Sequence, residues 1–127
     1  MERSRLIEIF NSLTKLEQRA LGKFVESPFF NKREDVIKLY RYLYKKHPFE
    51  SKNVLKREQV FKSIFPKEPF DDKKMDYTMS FLFQLIKSYL VYEEMNSDKV
   101  NSQILLSRSL RKRNLPRIFE TEVRNAE

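Results

Sequence analysis

Residues 70–95 read FDDKKMDYTMSFLFQLIKSYLVYEEM, and this stretch decides the fold. Asp71 is a good helix N-cap, and Asp72 sets negative charge at the positive end of the helix dipole. Phe70 and Met75 fall at N′ and N4, the spacing of a hydrophobic staple. Met75, Met79, Leu82, Leu85, Ile86, Tyr89 and Leu90 then recur at helical period, so one long helix should run from Asp71 to about Met95. Phe81, Phe83 and Val91 add apolar groups on other faces. A helix apolar nearly all round predicts a central element with neighbours on several sides.

The flanking sequence keeps the same period. Gly22 is the one glycine in 127 residues, so few positions need φ > 0 and hairpins should be scarce. Leu6, Ile7, Phe10 and Leu13 mark a first helix. Thr14 and Glu17 have capping-box spacing before a second, from Lys15 to about Ser27, which Pro28 stops. Gly22 inside that helix costs about 1 kcal/mol against Ala, a cost that a close helix crossing would explain. Asn31 and Glu34 repeat the capping spacing. The third helix then carries Val36, Ile37, Tyr40, Leu43 and Tyr44 as a core stripe and ends near Lys46. Residues 47–55 read as irregular. A short helix with Val60, Phe61 and Ile64 inward closes at Pro66. After the long helix, Asp98 opens another that ends near Arg113 and Asn114. Pro116 fits the first turn of a last helix bearing Ile118, Phe119 and Val123.

The fold expected is all-α, a bundle of about six or seven helices around a long central one. Residues 1–97 form the bundle, and residues 98–127 form a helical pair. The last helix has no stop signal. The pair is therefore expected to begin a longer helical region, in the manner of a repeat array.

Chemistry is harder to find. With no cysteine and only His47, zinc and nucleophilic cysteine sites are not expected. One glycine leaves no phosphate-binding Gly-rich loop. Asp72 and Asp76 lie at i, i+4, and complementing the helix dipole is the simpler role for them. No catalytic residue, metal or cofactor is expected, and no apolar run is long enough to span a membrane.

Charge is the best clue. The chain carries +8, with a net +7 in residues 1–70, −2 in 71–97 and +3 in 98–127. Lys38, Arg41 and Lys45 form a stripe opposite the core face of the third helix, with Tyr42 beside them as a ring that a base could stack on. Arg108, Arg111, Lys112 and Arg113 form a second cluster, which also complements a helix C-terminus. A solvated face explains much of both. A helix-turn-helix would put Asp71, Asp72 and Asp76 against phosphates, which argues against that motif.

The segments SPFFNKREDVIKLYRYL and REQVFKSIFPKEPFDDKKMDYTMSFLFQLIKSYLVYEEM, with the closing SRSLRKRNLPRIFETEVRNAE, resemble a family of uncharacterised bacterial proteins. The matching features are Ser27 to Lys32, Ile64 to Pro66 and Phe70 to Asp72, which are caps and stops rather than catalysts. Lys56 departs from the Ser or Thr that often precedes the short helix in that family. The resemblance implies that this is the N-terminal region of a longer all-helical protein, and it implies no activity.

The function expected is a non-enzymatic protein-interaction or scaffold domain of a larger cytoplasmic protein. Its interaction surface would draw on Lys38, Arg41, Tyr42, Lys45, Arg108, Arg111, Lys112 and Phe119. The partner is another protein or the remainder of its own chain, with weak homodimerisation through the Phe119 face. No membrane partner is expected. The alternative is a nucleic-acid-binding module using the basic helical surface, and an enzyme ranks third.

Overall fold

The computed structural model describes residue 1 and residues 4–126. Among these residues there are seven α-helices and no strand. The helices are α1 (Arg5–Asn11), α2 (Lys15–Glu26), α3 (Glu34–Lys46), α4 (Arg57–Ile64), α5 (Asp72–Ser97), α6 (Lys99–Lys112) and α7 (Pro116–Ala126), with a 3-10 turn at Lys52–Leu55. The all-α expectation holds. The chain forms two compact units, Met1–Tyr89 and Leu90–Glu127, and the division falls within α5.

Most of the starts follow from cap chemistry. The Ser4 hydroxyl accepts from the Ile7 amide, starting α1. At α2 both halves of the capping box are made. The Glu17 amide donates to Thr14 Oγ1 at 3.1 Å, and the Thr14 amide donates to Glu17 Oε1 at 2.8 Å. The Lys74 amide donates to Asp71 Oδ1 at 3.1 Å, as the α5 cap requires. Lys56 is the N-cap of α4 and makes no side-chain cap bond.

The Asn31 cap is a correction. Arg33 is the N-cap of α3, with no side-chain cap bond. Asn31 instead folds the connector: its amide nitrogen donates back to the Val25 carbonyl at 3.0 Å, and its oxygen accepts from the Arg33 amide at 3.1 Å. The α3 start is held by Asp35, which accepts from the Val36 amide and from the Thr78 hydroxyl of α5, both at 2.9 Å. Arg33 pairs with the same carboxylate at 2.7 Å. Burial works against the Asp35 charge, and the bonds from Arg33, Thr78 and Val36 outweigh it, holding the carboxyl below its ordinary value.

The core of the first unit joins Leu6, Ile7 and Phe10 of α1 to Leu21 and Val25, to Val36, Leu39 and Leu43, and to Val60, Phe61 and Ile64. From α5 it takes Met75, Thr78, Leu82, Ile86 and Tyr89. Those α5 positions step by three and four, a single seam rather than an all-round contact. The expectation of neighbours on several sides is corrected here: Tyr77 is 64% exposed, Phe81 44% and Val91 58%. Cations cover the rings where helices were expected. Arg33 sits over Phe81 at 4.1 Å, and Arg5 and Lys87 sit over Phe83 at 5.0 and 4.8 Å.

Gly22 marks the close crossing of α2 and α3. A Cβ built there would lie 2.5 Å from the Tyr40 hydroxyl oxygen. That hydroxyl donates to the Gln18 carbonyl at 2.6 Å. Burial, then the neighbouring Tyr44 and Glu26, push the Tyr40 phenol up to about 12.

In the second unit, α6 begins at Asp98, whose side chain accepts from the Asn101 amide at 3.0 Å. It ends in a Schellman motif. Asn114 takes φ 55°, its amide donates to the Arg111 carbonyl, and the Leu115 amide donates to the Leu110 carbonyl, both at 3.1 Å. That turn folds α7 back on α6. Gln103 then bridges the two helices, donating to the Glu122 carbonyl at 3.0 Å and to its Oε2 at 3.2 Å.

Candidate functional site

The polar clusters most able to do chemistry are already engaged. Arg57 of α4 closes on both α5 carboxylates, with Nη2 at 2.8 Å from Asp72 and 2.7 Å from Asp76. Its Nη2 also donates to the Asp72 carbonyl at 3.0 Å. The i, i+4 acid pair is thus an interhelical clamp, a role that spacing along α5 alone did not reveal. His47 packs edge-on against Phe10 and Phe49 at 5.7 and 5.3 Å, and burial, with the Lys15 charge, holds its imidazole below the ordinary value. Among the described residues no three His, Cys, Asp or Glu side chains are placed to hold a metal. None of the helices is long and apolar enough to cross a membrane.

Two basic surfaces remain. On the first unit, Lys38, Arg41 and Lys45 are all exposed along α3. Arg41 is tied to Glu26 at 2.9 Å. Tyr42 is half-buried, donates its hydroxyl to the Val54 carbonyl at 2.5 Å and lies under Lys46, so it is not an open stacking platform. Tertiary structure adds a second row that sequence reasoning missed: Lys15, Arg19 and Lys23 of α2, at i, i+4, i+8. Arg19, Lys23 and Arg41 surround one shallow depression of about 360 Å³ with Tyr40 and Tyr44. Lys15 stands over the Tyr44 ring at 4.0 Å. A hydrogen bond from Arg19, with the Lys15 and Arg19 charges, draws the Tyr44 phenol below its ordinary value.

The second unit presents a groove between α6 and α7 of about 1030 Å³. Its apolar lining comes from Val100 and Ile104 of α6 and from Phe119 and Val123 of α7, each pair at i, i+4. Val100 is 71% exposed and Ile104 53%. Lys99, Arg108 and Arg111 are the charged lining residues. Arg111 sits over the Phe119 ring at 5.4 Å. The structure thus brings Arg108, Arg111 and Phe119 to one groove. Lys112, in the last turn of α6, is exposed and outside the groove lining. Lys38, Arg41, Tyr42 and Lys45 belong to the first unit. Val100, Ile104 and Lys99 were missed; the signal was an apolar i, i+4 pair directly after the Asp98 cap.

No protein-family model, curated protein or solved structure matches the chain.

Proposed function

We propose that the chain is a non-enzymatic protein-interaction domain that offers the α6–α7 groove to a helix of a partner protein. One observation carries this reading: two apolar pairs, Val100 with Ile104 and Phe119 with Val123, line an open channel between two helices fixed by Gln103 and the Asn114 turn. Paired i, i+4 side chains along a groove are what an amphipathic helix reads. The engagement of Arg57, Asp72, Asp76 and Asp35 in interhelical bonds supports a structural rather than a catalytic use of those groups. The absence of cysteine suits a reducing compartment, and the setting proposed is the cytoplasm.

The test is site-specific photo-cross-linking in cells. A photoreactive residue at Val100 should give a discrete protein adduct that Val123→Glu suppresses, while one at exposed Tyr77 should not. Equal adducts at both positions, or none at Val100, would refute the reading. The second reading, a nucleic-acid-binding face, draws on the added α2 row of Lys15, Arg19 and Lys23. It requires affinity for a random oligonucleotide that falls steeply with salt and is lost on reversing Arg19 and Lys23.

A further inference from the structure

We infer that the α6–α7 groove is specific for an acidic amphipathic helix, one with an apolar i, i+4 seam flanked at both ends by carboxylates. The inference rests on the groove reading above and adds the partner's chemistry. Along its middle the lining sets the two apolar pairs beside Ser102, Gln103 and Ser107, and it is cationic at its ends. Lys99 lies in the first turn of α6, and Arg108 and Arg111 lie in its last turns. Among the described residues no carboxylate comes within ion-pair distance of these three cations. Glu122 of α7 pairs with none of them and accepts from the Gln103 amide at 3.2 Å.

The spacing is restrictive. Lys99 and Arg108 are nine residues apart, about 14 Å along a helix axis. A partner helix laid along α6 therefore needs its carboxylates nine or ten residues apart, with two or three apolar residues between them. Arg111, held over Phe119, keeps its N–H edges for a carboxylate, which a guanidinium can grip bidentately. Docking the seam over Val100 and Ile104 removes water from around the cations, so their attraction for the acids strengthens.

Other occupants fit less well. A phosphate backbone would satisfy the cations but leave the exposed Val100 and Ile104 in water. A second copy brings a chain of +8 against another of +8, and its α7 carries Arg117 and Arg124 beside Glu120 and Glu122.

The experiment uses the full chain and two fluorescent, hydrocarbon-stapled helical peptides with the same leucine seam. One has Glu at the two flanking positions and the other has Lys. The acidic peptide should bind at least about tenfold tighter at low salt, with the preference shrinking as salt screens it. Lys99→Glu places an acid at a helix N-terminus, where it is tolerated, and should cut the preference severalfold. Arg108→Glu with Arg111→Glu should invert it. Equal binding of both peptides, abolished in both by Ile104→Glu, would overturn the acidic specificity while the groove reading stands. Binding by neither peptide, or binding indifferent to Ile104→Glu, would overturn the groove reading itself. Displacement of the acidic peptide by a random RNA would reassign the cations to phosphate. Self-association of the chain suppressed by Ile104→Glu would make the occupant a second copy. Either result overturns the inference.

Discussion

Replacing Gly22 with Ala should destabilise the protein, although the same change in an ordinary helix interior gains about 1 kcal/mol. The new Cβ would stand 2.5 Å from Tyr40 Oη, 2.9 Å from Cζ and 3.0 Å from Cε1. Comfortable contact lies near 3.5 Å or beyond, so the ring tip must retreat by about 1 Å. The hydroxyl is held at 2.6 Å from the Gln18 carbonyl, and that retreat breaks the bond. Overpacking costs about 1–3 kcal/mol and the lost hydrogen bond about 1 kcal/mol. Set against the propensity gain, the net loss is about 2 kcal/mol, or roughly 6–12 °C in Tm for a chain of this length. A double-mutant cycle with Tyr40→Phe isolates the cause. Removing the oxygen removes the shortest contact, so Gly22→Ala should cost about 1 kcal/mol less in that background. Urea unfolding of the four proteins measures each leg. An unchanged or raised Tm for Gly22→Ala, or an equal cost in both backgrounds, would refute the crossing as the reason for the glycine.

Acid should weaken the fold in two steps. His47 and Asp35 are both depressed in the folded state, so each contributes stability above its unfolded value and loses it as pH falls through its folded one. Stability measured by urea titration should therefore begin to drop below about pH 6.5 and drop again below about pH 4; His47→Gln should remove the first step and Asp35→Asn the second. Arg57→Ala should cost about 1 kcal/mol, a modest figure because Asp72 and Asp76 are well exposed, and the difference from wild type should narrow in high salt on thermal melts. At Asn114, with φ 55°, Asn114→Gly should be neutral or slightly stabilising, whereas Asn114→Val should cost about 1–3 kcal/mol and loosen α7 in hydrogen exchange.

What could be read from the sequence was what depends on near neighbours. The Thr14 box, the Asp71 and Asp98 caps and the Pro28 and Pro66 stops act over three or four residues, and each holds in the structure. Asn31 had the right spacing to Glu34, yet its amide found a better partner in the Val25 carbonyl, six residues upstream, and a spacing rule does not weigh that competition. Gly22 was legible as an anomaly but not as a contact with Tyr40, because the contact joins two helices. The same limit applies to the candidate surfaces. Arg108, Arg111 and Phe119 could be picked out along the chain, but the groove they share exists only once Asn114 turns α7 back onto α6. Arg57 was invisible as a clamp for Asp72 and Asp76 because fifteen and nineteen residues separate the partners.

Part of the apolar excess of α5 and part of the basic excess of the chain meet in the same contacts. A helix studded with aromatics was expected to need helical neighbours, and the +8 charge was read mainly as a solvated face, with nucleic acid as the alternative. The structure sets cations on rings instead: Arg33 on Phe81, Arg5 and Lys87 on Phe83, Lys74 on Phe65, Lys15 on Tyr44, Lys46 on Tyr42, Arg111 on Phe119. Long basic side chains lay their stems over apolar surface and keep their charge in water, so they cover a ring without a helix behind it. Six of the nineteen basic residues in the first unit lie over aromatic rings in this way, so part of its positive charge is cladding for aromatics. Lys99 and Arg108 cover no ring and pair with no acid among the described residues. They stand at the two ends of the stretch of α6 that carries Val100 and Ile104, and the acidic-helix proposal rests on that position rather than on the chain's total charge.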